Sequence, residues 1–217
     1  MAKAENIPAP AVRRLSLYLR QLEIFSAADH RTVSSRQLGE ALCISDAQVR
    51  KDLAYFGQFG HPGIGYRVAE LIPRVRHILG TDKKSNVLLV GVGNLGRALI
   101  SFRGFIKRGF DVVAVFDKDP EKVGAIVAGP IPLRIQPLSE MPTTVRQYAI
   151  RVGILAVPAI AAQGVAEEMI AAGIRGILNF APVTLQVGPE VGVASVDLAV
   201  HLEQLSFQLT ALSTAAT

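Results

Sequence analysis

Hydrophobic positions change their spacing several times along the chain, and each change marks an element. From Pro10 to Ala27 the apolar residues Val12, Leu15, Leu19, Leu22 and Phe25 recur at intervals of three and four, which predicts a helix with one buried face. A short second helix follows, with Ser34 and Ser35 offering a capping hydroxyl and Leu38, Ala41 and Leu42 supplying the apolar side. Asp46 is placed to cap a third helix from Ala47 to about Phe56, with Val49, Leu53 and Phe56 inward. Gly57, Gly60, Gly63 and Gly65 then punctuate a stretch ending in Tyr66-Arg67-Val68, which suits a two-stranded ribbon with a glycine-rich tip. Beyond Gly80 the pattern changes to short apolar runs: Asn86 to Val90, Phe110 to Phe116, Val152 to Val157 and Gly176 to Phe180, with a helix from Ala159 to Ala172 between the last two. Strand alternating with helix predicts a parallel sheet covered by helices.

The last segment, Asp197 to about Ser213, opens on a capping aspartate. Leu198, Leu202, Leu205, Leu209 and Leu212 are spaced by four, three, four and three, a heptad seam, and Val200 and Phe207 lie off it. That is more apolar surface than one flank of a sheet need cover, which predicts burial against a second chain, with packing on its own domain as the alternative. The predicted fold class is therefore α/β: an N-terminal winged helix-turn-helix domain over residues 1–80, a Rossmann-type parallel sheet domain over 85–196, and a C-terminal dimerisation helix and tail over 197–217.

Composition narrows the class. At 217 residues and 50% hydrophobic the chain has material for one or two cored domains. No apolar run approaches 18 residues, and Met1 to Pro10 lacks the pattern of a signal peptide, so membrane contact and export are not expected and the cytoplasm is the expected compartment. The net charge of +5 is unevenly placed: residues 1–80 hold 11 Lys/Arg against 7 Asp/Glu, and 81–217 hold 12 against 11. A basic front half suits a polyanionic partner, although a merely solvated basic face would look the same. The single cysteine, Cys43, excludes an internal disulfide and is expected in the core. No metal site is expected, since His201 on the tail helix has no second ligand at useful spacing.

The densest chemistry lies in Gly91-Val92-Gly93-Asn94-Leu95-Gly96, a glycine-rich turn between a strand and a helix start. Gly91 allows the tight turn, Gly93 lets backbone approach a pyrophosphate, and Gly96 lets helix and strand pack closely, while the helix N-terminus offers N–H groups to negative charge. Asp117 ends the next strand, 21 positions after Gly96, near the place of a carboxylate that grips an adenosine ribose. Such a carboxylate repels a 2′-phosphate, so NAD is expected over NADP, with Lys118 beside it pulling the other way. Val157-Pro158 and Asn179-Phe180 stand at later strand ends, where ligands sit in open α/β sheets; position alone does not separate a ligand contact from simple loop geometry.

In the front half, the second and third helices have helix-turn-helix spacing, and the third carries Gln48, Arg50 and Lys51 on its outer surface. Arg and Gln there have donors and acceptors suited to base edges in a major groove. With the glycine-tipped ribbon behind it as a wing, this describes a winged helix.

Gln48-Val-Arg-Lys-Asp-Leu-Ala-Tyr-Phe-Gly57, the wing ending in Gly65-Tyr66, Phe116-Asp-Lys-Asp-Pro-Glu-Lys-Val-Gly124, Leu155-Ala-Val-Pro158, Gly173-Ile-Arg-Gly-Ile-Leu-Asn-Phe-Ala-Pro182 and Val196-Asp-Leu-Ala-Val200 closely resemble, in order, the motifs of the Rex family of bacterial redox-sensing repressors. The resemblance runs from Pro8 to Phe207. It implies a homodimer that binds a pseudo-palindromic operator when NADH is scarce and releases it when NADH binds, with NADH and NAD+ as the cofactors. It places Gln48, Arg50, Lys51 and Tyr55 of the third helix and Gly63, Gly65 and Tyr66 of the wing at operator DNA, and it tips Val157-Pro158 and Asn179-Phe180 toward contact with the cofactor. It also implies a tail helix exchanged between subunits, and an Arg14 that pairs across the dimer with an aspartate at the position of Asp197. Where relatives have a tyrosine that alternates partners with that aspartate, this chain has Phe102, which lacks the hydroxyl for that bond. The wing tip, often basic in relatives, is His61-Pro62 here.

Two other readings share parts of this pattern. An NAD-dependent dehydrogenase would have the same fingerprint and Asp117, but needs a substrate domain and an acid or base beside the nicotinamide, for which the residues after Phe180 leave little room. A coenzyme-binding subunit that uses its first domain for protein contact would be distinguished by a lack of operator binding.

Overall fold

The structure, a computed structural model, describes residues 7–215, and the side chains of 7–211. These residues divide into two compact units on either side of the bond between Lys83 and Lys84.

In the first unit, α1 (Ala9–Ala27) follows the extended Pro8, and Pro10 in its first turn removes an N–H that has no partner there. Its inward face is Ala11, Leu15, Tyr18, Leu19 and Leu22. Val12, expected inward, is 41% exposed, because the buried stripe is one residue out of phase at this end and is filled by the smaller Ala11. Helix α2 (Ser35–Leu42) begins in a capping box: the Ser34 hydroxyl accepts from the Gln37 N–H while the Gln37 side chain accepts from the Ser34 N–H. It ends at Cys43 in the left-handed conformation, φ 55. This turns the cysteine off the helix face, so it is exposed and not in the core as expected. Helix α3 (Asp46–Ala54) is capped by Ser45, one residue before the expected Asp46.

The ribbon consists of β2 (Gly60–His61) and β3 (Gly65–Arg67), and gains a third strand, β1 (Thr32–Val33), which pairs antiparallel with β3. Gly65, φ +86, lies against the Val33 carbonyl at a place where a Cβ would come within 2.6 Å, so this glycine permits the pairing. A fourth helix, α4 (Val68–Ile78), packs on α1. Pro73 inside it conceals its periodicity in the sequence. Tyr18, Leu15, Leu22, Val33, Leu38, Val49, Leu53, Tyr66, Leu71 and Val75 form one core.

The second unit is built on seven strands: β4 (Ser85–Val90), β5 (Phe110–Phe116), β6 (Ile126–Val127), β7 (Leu133–Gln136), β8 (Val152–Leu155), β9 (Gly176–Asn179) and β10 (Gly192–Ser195). Their order is β10-β9-β8-β4-β5-β7-β6, parallel throughout except for the β6 edge. The chain starts in the middle at β4, winds outward through β5 and β7, then returns to β8 on the other side, as in dinucleotide-binding sheets. Side chains of β4 alternate between two cores. Leu88 and Val90 pack with α7 (Met141–Gln147) and α8 (Ala159–Ala172), and Val87 and Leu89 pack on the opposite face with Ile100 of α5 (Asn94–Ser101). A short α6 (Gly104–Lys107) leads into β5. Prolines at 130, 132, 137 and 142 obscure the pattern of β7 and α7 in the sequence.

Helix α9 (Leu198–Ala215) is started by Asp197, whose carboxylate accepts from the N–H groups of Ala199 at 2.9 Å and Val200 at 3.3 Å. All its side chains from 198 to 211 are exposed, among them Leu198, Leu202, Leu205, Phe207 and Leu209; that of Leu212 lies outside the described residues. No helix among the described residues is long and apolar enough to cross a membrane.

Candidate functional site

A cleft of about 460 Å³ opens beyond the C-terminal ends of the paired strands β4 and β8, at the reversal of strand order. Gly91 and Gly93 form one wall, Asp117 to Pro120 with Lys122 another, and Ala156 to Pro158 with Leu138, Ala161 and Val165 the third. Each glycine has its own reason. A Cβ on Gly91, φ +99, would strike the Ala156 carbonyl of the neighbouring strand end, and one on Gly96 would strike the Gly91 carbonyl beneath the helix. A Cβ on Gly93 would meet nothing within 4 Å, so the space beside it is open to a ligand. Gly93 is also the N-cap of α5 and supplies no side-chain cap, which leaves the first turn for an external acceptor. Asn94 and Leu95 of that turn are exposed.

Asp117 is 6% exposed. Its carboxylate accepts from the Val92 N–H at 2.8 Å, the Asp119 N–H at 3.0 Å and Lys122 Nζ at 3.3 Å. Burial alone would raise its pKa, but the two N–H donors and Lys122 outweigh burial and hold it below the ordinary carboxylate range. An ionised carboxylate fixed at the cleft wall is a pure acceptor and suits ribose hydroxyls. Lys122, absent from the expected set, bridges Asp117 and Asp119, so part of its charge is answered internally. The residues present thus fit an adenine dinucleotide: an anion place at the turn, a carboxylate for the ribose, and an apolar wall at Val157 and Pro158.

Not every expected residue reaches the cleft. Val92 is buried and contributes its N–H to Asp117. Asn179 is wholly buried, and its amide donates to the carbonyls of Ala181 at 3.1 Å and Val183 at 2.9 Å while accepting from the Ala181 N–H at 2.9 Å. It shapes the loop after β9 and does not line the cleft. Phe180 is partly buried against the α5-side core. Phe102 ends α5, is 55% exposed, and meets Phe105 edge to face at 5.1 Å, away from the cleft.

In the first unit, Lys51 is exposed on α3, and Arg50 donates from one guanidinium nitrogen to Asp46 at 2.6 Å and Ser35 at 3.0 Å. Arg36 on α2 adds positive charge beside them that the sequence reading left out. Gly63 sits at the open wing tip, φ +75, and Tyr55 closes α3 half-buried. Tyr66 turns inward: its ring belongs to the core and covers Gly60, so its side chain supports the wing. Arg14 is likewise engaged at home. Its Nε and Nη2 donate to both oxygens of Asp52, at 2.5 and 2.8 Å, whereas the expected partner position, Asp197, caps α9. Burial would raise the Asp52 pKa, but hydrogen bonds from Arg14, Tyr18 and Gln48 hold it low.

A winged helix joined to a dinucleotide-binding sheet defines the class: a nucleotide-responsive DNA-binding protein. The chain belongs to the Rex family of redox-sensing transcriptional repressors. It is 45% identical over 207 residues to the redox-sensing transcriptional repressor Rex of Desulforamulus reducens, covering 95% of this chain and 97% of that one. It is 45% identical to the Rex repressor of Brevibacillus brevis, covering 97% and 100%. Residues 82–183 match the CoA binding domain family, and residues 6–54 a family described as putative DNA-binding protein N-terminus. Among solved structures it is similar to RSP, a Rex-family repressor, in complex with β-NAD+ and operator DNA, with TM-score 0.89, 33% identity, and coverage of 97% of this chain and 95% of that one. RSP in complex with β-NADH matches with TM-score 0.85 and 32% identity, covering 97% and 98%.

Proposed function

We propose that this protein is a cytoplasmic repressor that binds a pseudo-palindromic operator as a homodimer and is released from it by NADH, so that occupancy follows the NADH/NAD+ ratio. The observation that carries this reading is the pairing, in one chain, of an open cleft at Gly93 and Asp117 with a helix-turn-helix bearing Gln48, Arg50 and Lys51. Residues 1–80 read DNA, 85–196 hold the nucleotide, and 197–217 join the subunits. The exposed leucines of α9 support the last assignment, because a helix so apolar on its described surface gains most by burial against a second copy. In this reading neither a metal nor a membrane takes part. Among the described residues no group of three or more metal-ligating side chains is present.

The bound nucleotide supplies no reaction here; it supplies differential binding free energy between the released and operator-bound states. Gly93 leaves room for its phosphates while Gly91 and Gly96 hold the turn and the helix in place, Asp117 accepts from the ribose, and Val157 and Pro158 face its other end. The test is fluorescence anisotropy of a labelled palindromic DNA from the gene's own upstream region, titrated with protein and then with NADH or NAD+ at fixed salt. Release at much lower NADH than NAD+ is expected. Tight binding indifferent to both would refute the sensor.

A further inference from the structure

The cleft is unevenly equipped. Among the described residues that line it, every charged side chain comes from one short segment, as Asp117, Lys118, Asp119 and Lys122, and the glycine turn beside them adds the open space at Gly93. The remaining walls, from Leu138, Val157, Pro158, Ala161 and Val165, offer apolar side chains. Polar recognition is thus gathered where a dinucleotide places its adenosine ribose and pyrophosphate, whereas the Val157 and Pro158 side chains have no donor or acceptor for the other half. A 5′-diphosphate of adenosine carries the ribose and both phosphates by itself. NADH and NAD+ are identical in that half and differ only in the nicotinamide ring. If filling the adenosine half were enough to free the operator, NAD+ would free it as readily as NADH.

The ribose sets a second limit. Asp117 is 6% exposed and is held by the N–H groups of Val92 and Asp119, so its carboxylate cannot swing away from the sugar. A phosphate ester on either ribose hydroxyl removes a donor and sets negative charge against that carboxylate. Lys122 does little to offset this, because it is shared between Asp117 and Asp119 at 3.3 Å from each, and the exposed Lys118 is screened by solvent.

We propose that the cleft also takes ADP and other adenosine 5′-diphosphates whose ribose hydroxyls are both free, and that these are competitive antagonists of NADH: they occupy the site, leave the operator bound and raise the NADH concentration needed for release. Coenzyme A, phosphorylated at its 3′ oxygen, is excluded, and its 3′-dephospho form is admitted. This regulation rests on the reading of the cleft as an NADH site, and it makes the release threshold follow the adenylate pool as well as NAD+. An antagonist at about ten times its dissociation constant raises the NADH midpoint roughly tenfold.

The test uses the full-length protein with two readouts, NADH fluorescence for binding and anisotropy of labelled operator for release. ADP and dephospho-coenzyme A should displace NADH, and each alone should leave the operator anisotropy unchanged. As ADP rises, the NADH midpoint for release should rise in step with the displacement constant. Coenzyme A should compete less well than its dephospho form by about tenfold or more. Asp117→Asn keeps an acceptor oxygen without the charge, and should bring the two coenzyme A forms close together. Failure of ADP to displace NADH at millimolar concentration would overturn the proposal, as would release of operator by ADP alone. Equal competition by both coenzyme A forms would overturn the ribose limit, a comparison made on unmodified protein and so independent of whether Asp117→Asn folds. NADH that neither binds nor frees the operator would instead remove the sensor reading itself.

Discussion

Gly93 and Gly96 are three residues apart in the same turn, yet they answer to different physics. Gly96→Ala drives a Cβ into the Gly91 carbonyl, backbone against backbone, and should cost about 1–3 kcal/mol of stability or more. Gly93→Ala places its methyl in the open cleft, so thermal unfolding should barely move while NADH affinity falls about tenfold or more by fluorescence titration. Equal destabilisation by both would mean that Gly93 is packed and not a ligand wall. Asp52 behaves as a second kind of residue. Its carboxyl titrates lower in the folded protein than in the unfolded chain, so its contribution is complete above the unfolded pKa of about 4 and is lost as pH falls through the folded value. Denaturation midpoints measured from about pH 6 down to about pH 3 should therefore fall more steeply for the unmodified protein than for Asp52→Asn. Parallel curves would show that the buried pair does not govern the acid limb.

Among the elements, α9 carries the sharpest expectation. Its leucines repeat as a seam, and the structure leaves Leu205 54% and Leu209 66% exposed, so the helix stays wet unless another chain covers it. Leu205→Asp with Leu209→Asp should convert a dimer to a monomer by light scattering, with operator affinity falling by well over tenfold because one half-site contact is lost. The Gly93–Asp117 cleft lies in the sheet, so NADH should still bind. A variant that stays dimeric would place the interface elsewhere. Helix α4 shows the reverse case: a real, packed element that Pro73 hid, because periodicity read along the chain stops at a proline that tertiary packing tolerates.

For the molecule as a whole, the two binding equilibria are linked whatever the route between the sites. If NADH weakens operator binding by some factor, operator must weaken NADH binding by the same factor. NADH titrations with and without saturating operator should therefore give two affinities whose ratio equals the ratio of operator affinities with and without NADH. Unequal ratios would mean additional bound states, and identical NADH affinities would exclude coupling. Operator binding should also weaken as salt rises, since exposed cations such as Lys51 release counterions from phosphates.

Local rules were enough for much of this: the three glycines, the acidic strand end, the capping serine of α2, the seam of α9 and the order of the elements are all set by spacing and backbone sterics within a few residues. Tertiary structure decided whatever depends on distant neighbours. Cys43 is exposed because a left-handed residue ends α2 against Ile44, a backbone outcome that an apolar residue type does not reveal. Tyr66 faces inward because β1 arrives from before α2 to pair with its strand. Asn179 is spent on a loop whose carbonyls fold back over it, and Arg14 meets Asp52, 38 positions away, because α1 crosses beneath α3. Charge pairs and burial are properties of which surfaces meet, and the linear pattern of hydrophobic and polar positions records only that such surfaces exist.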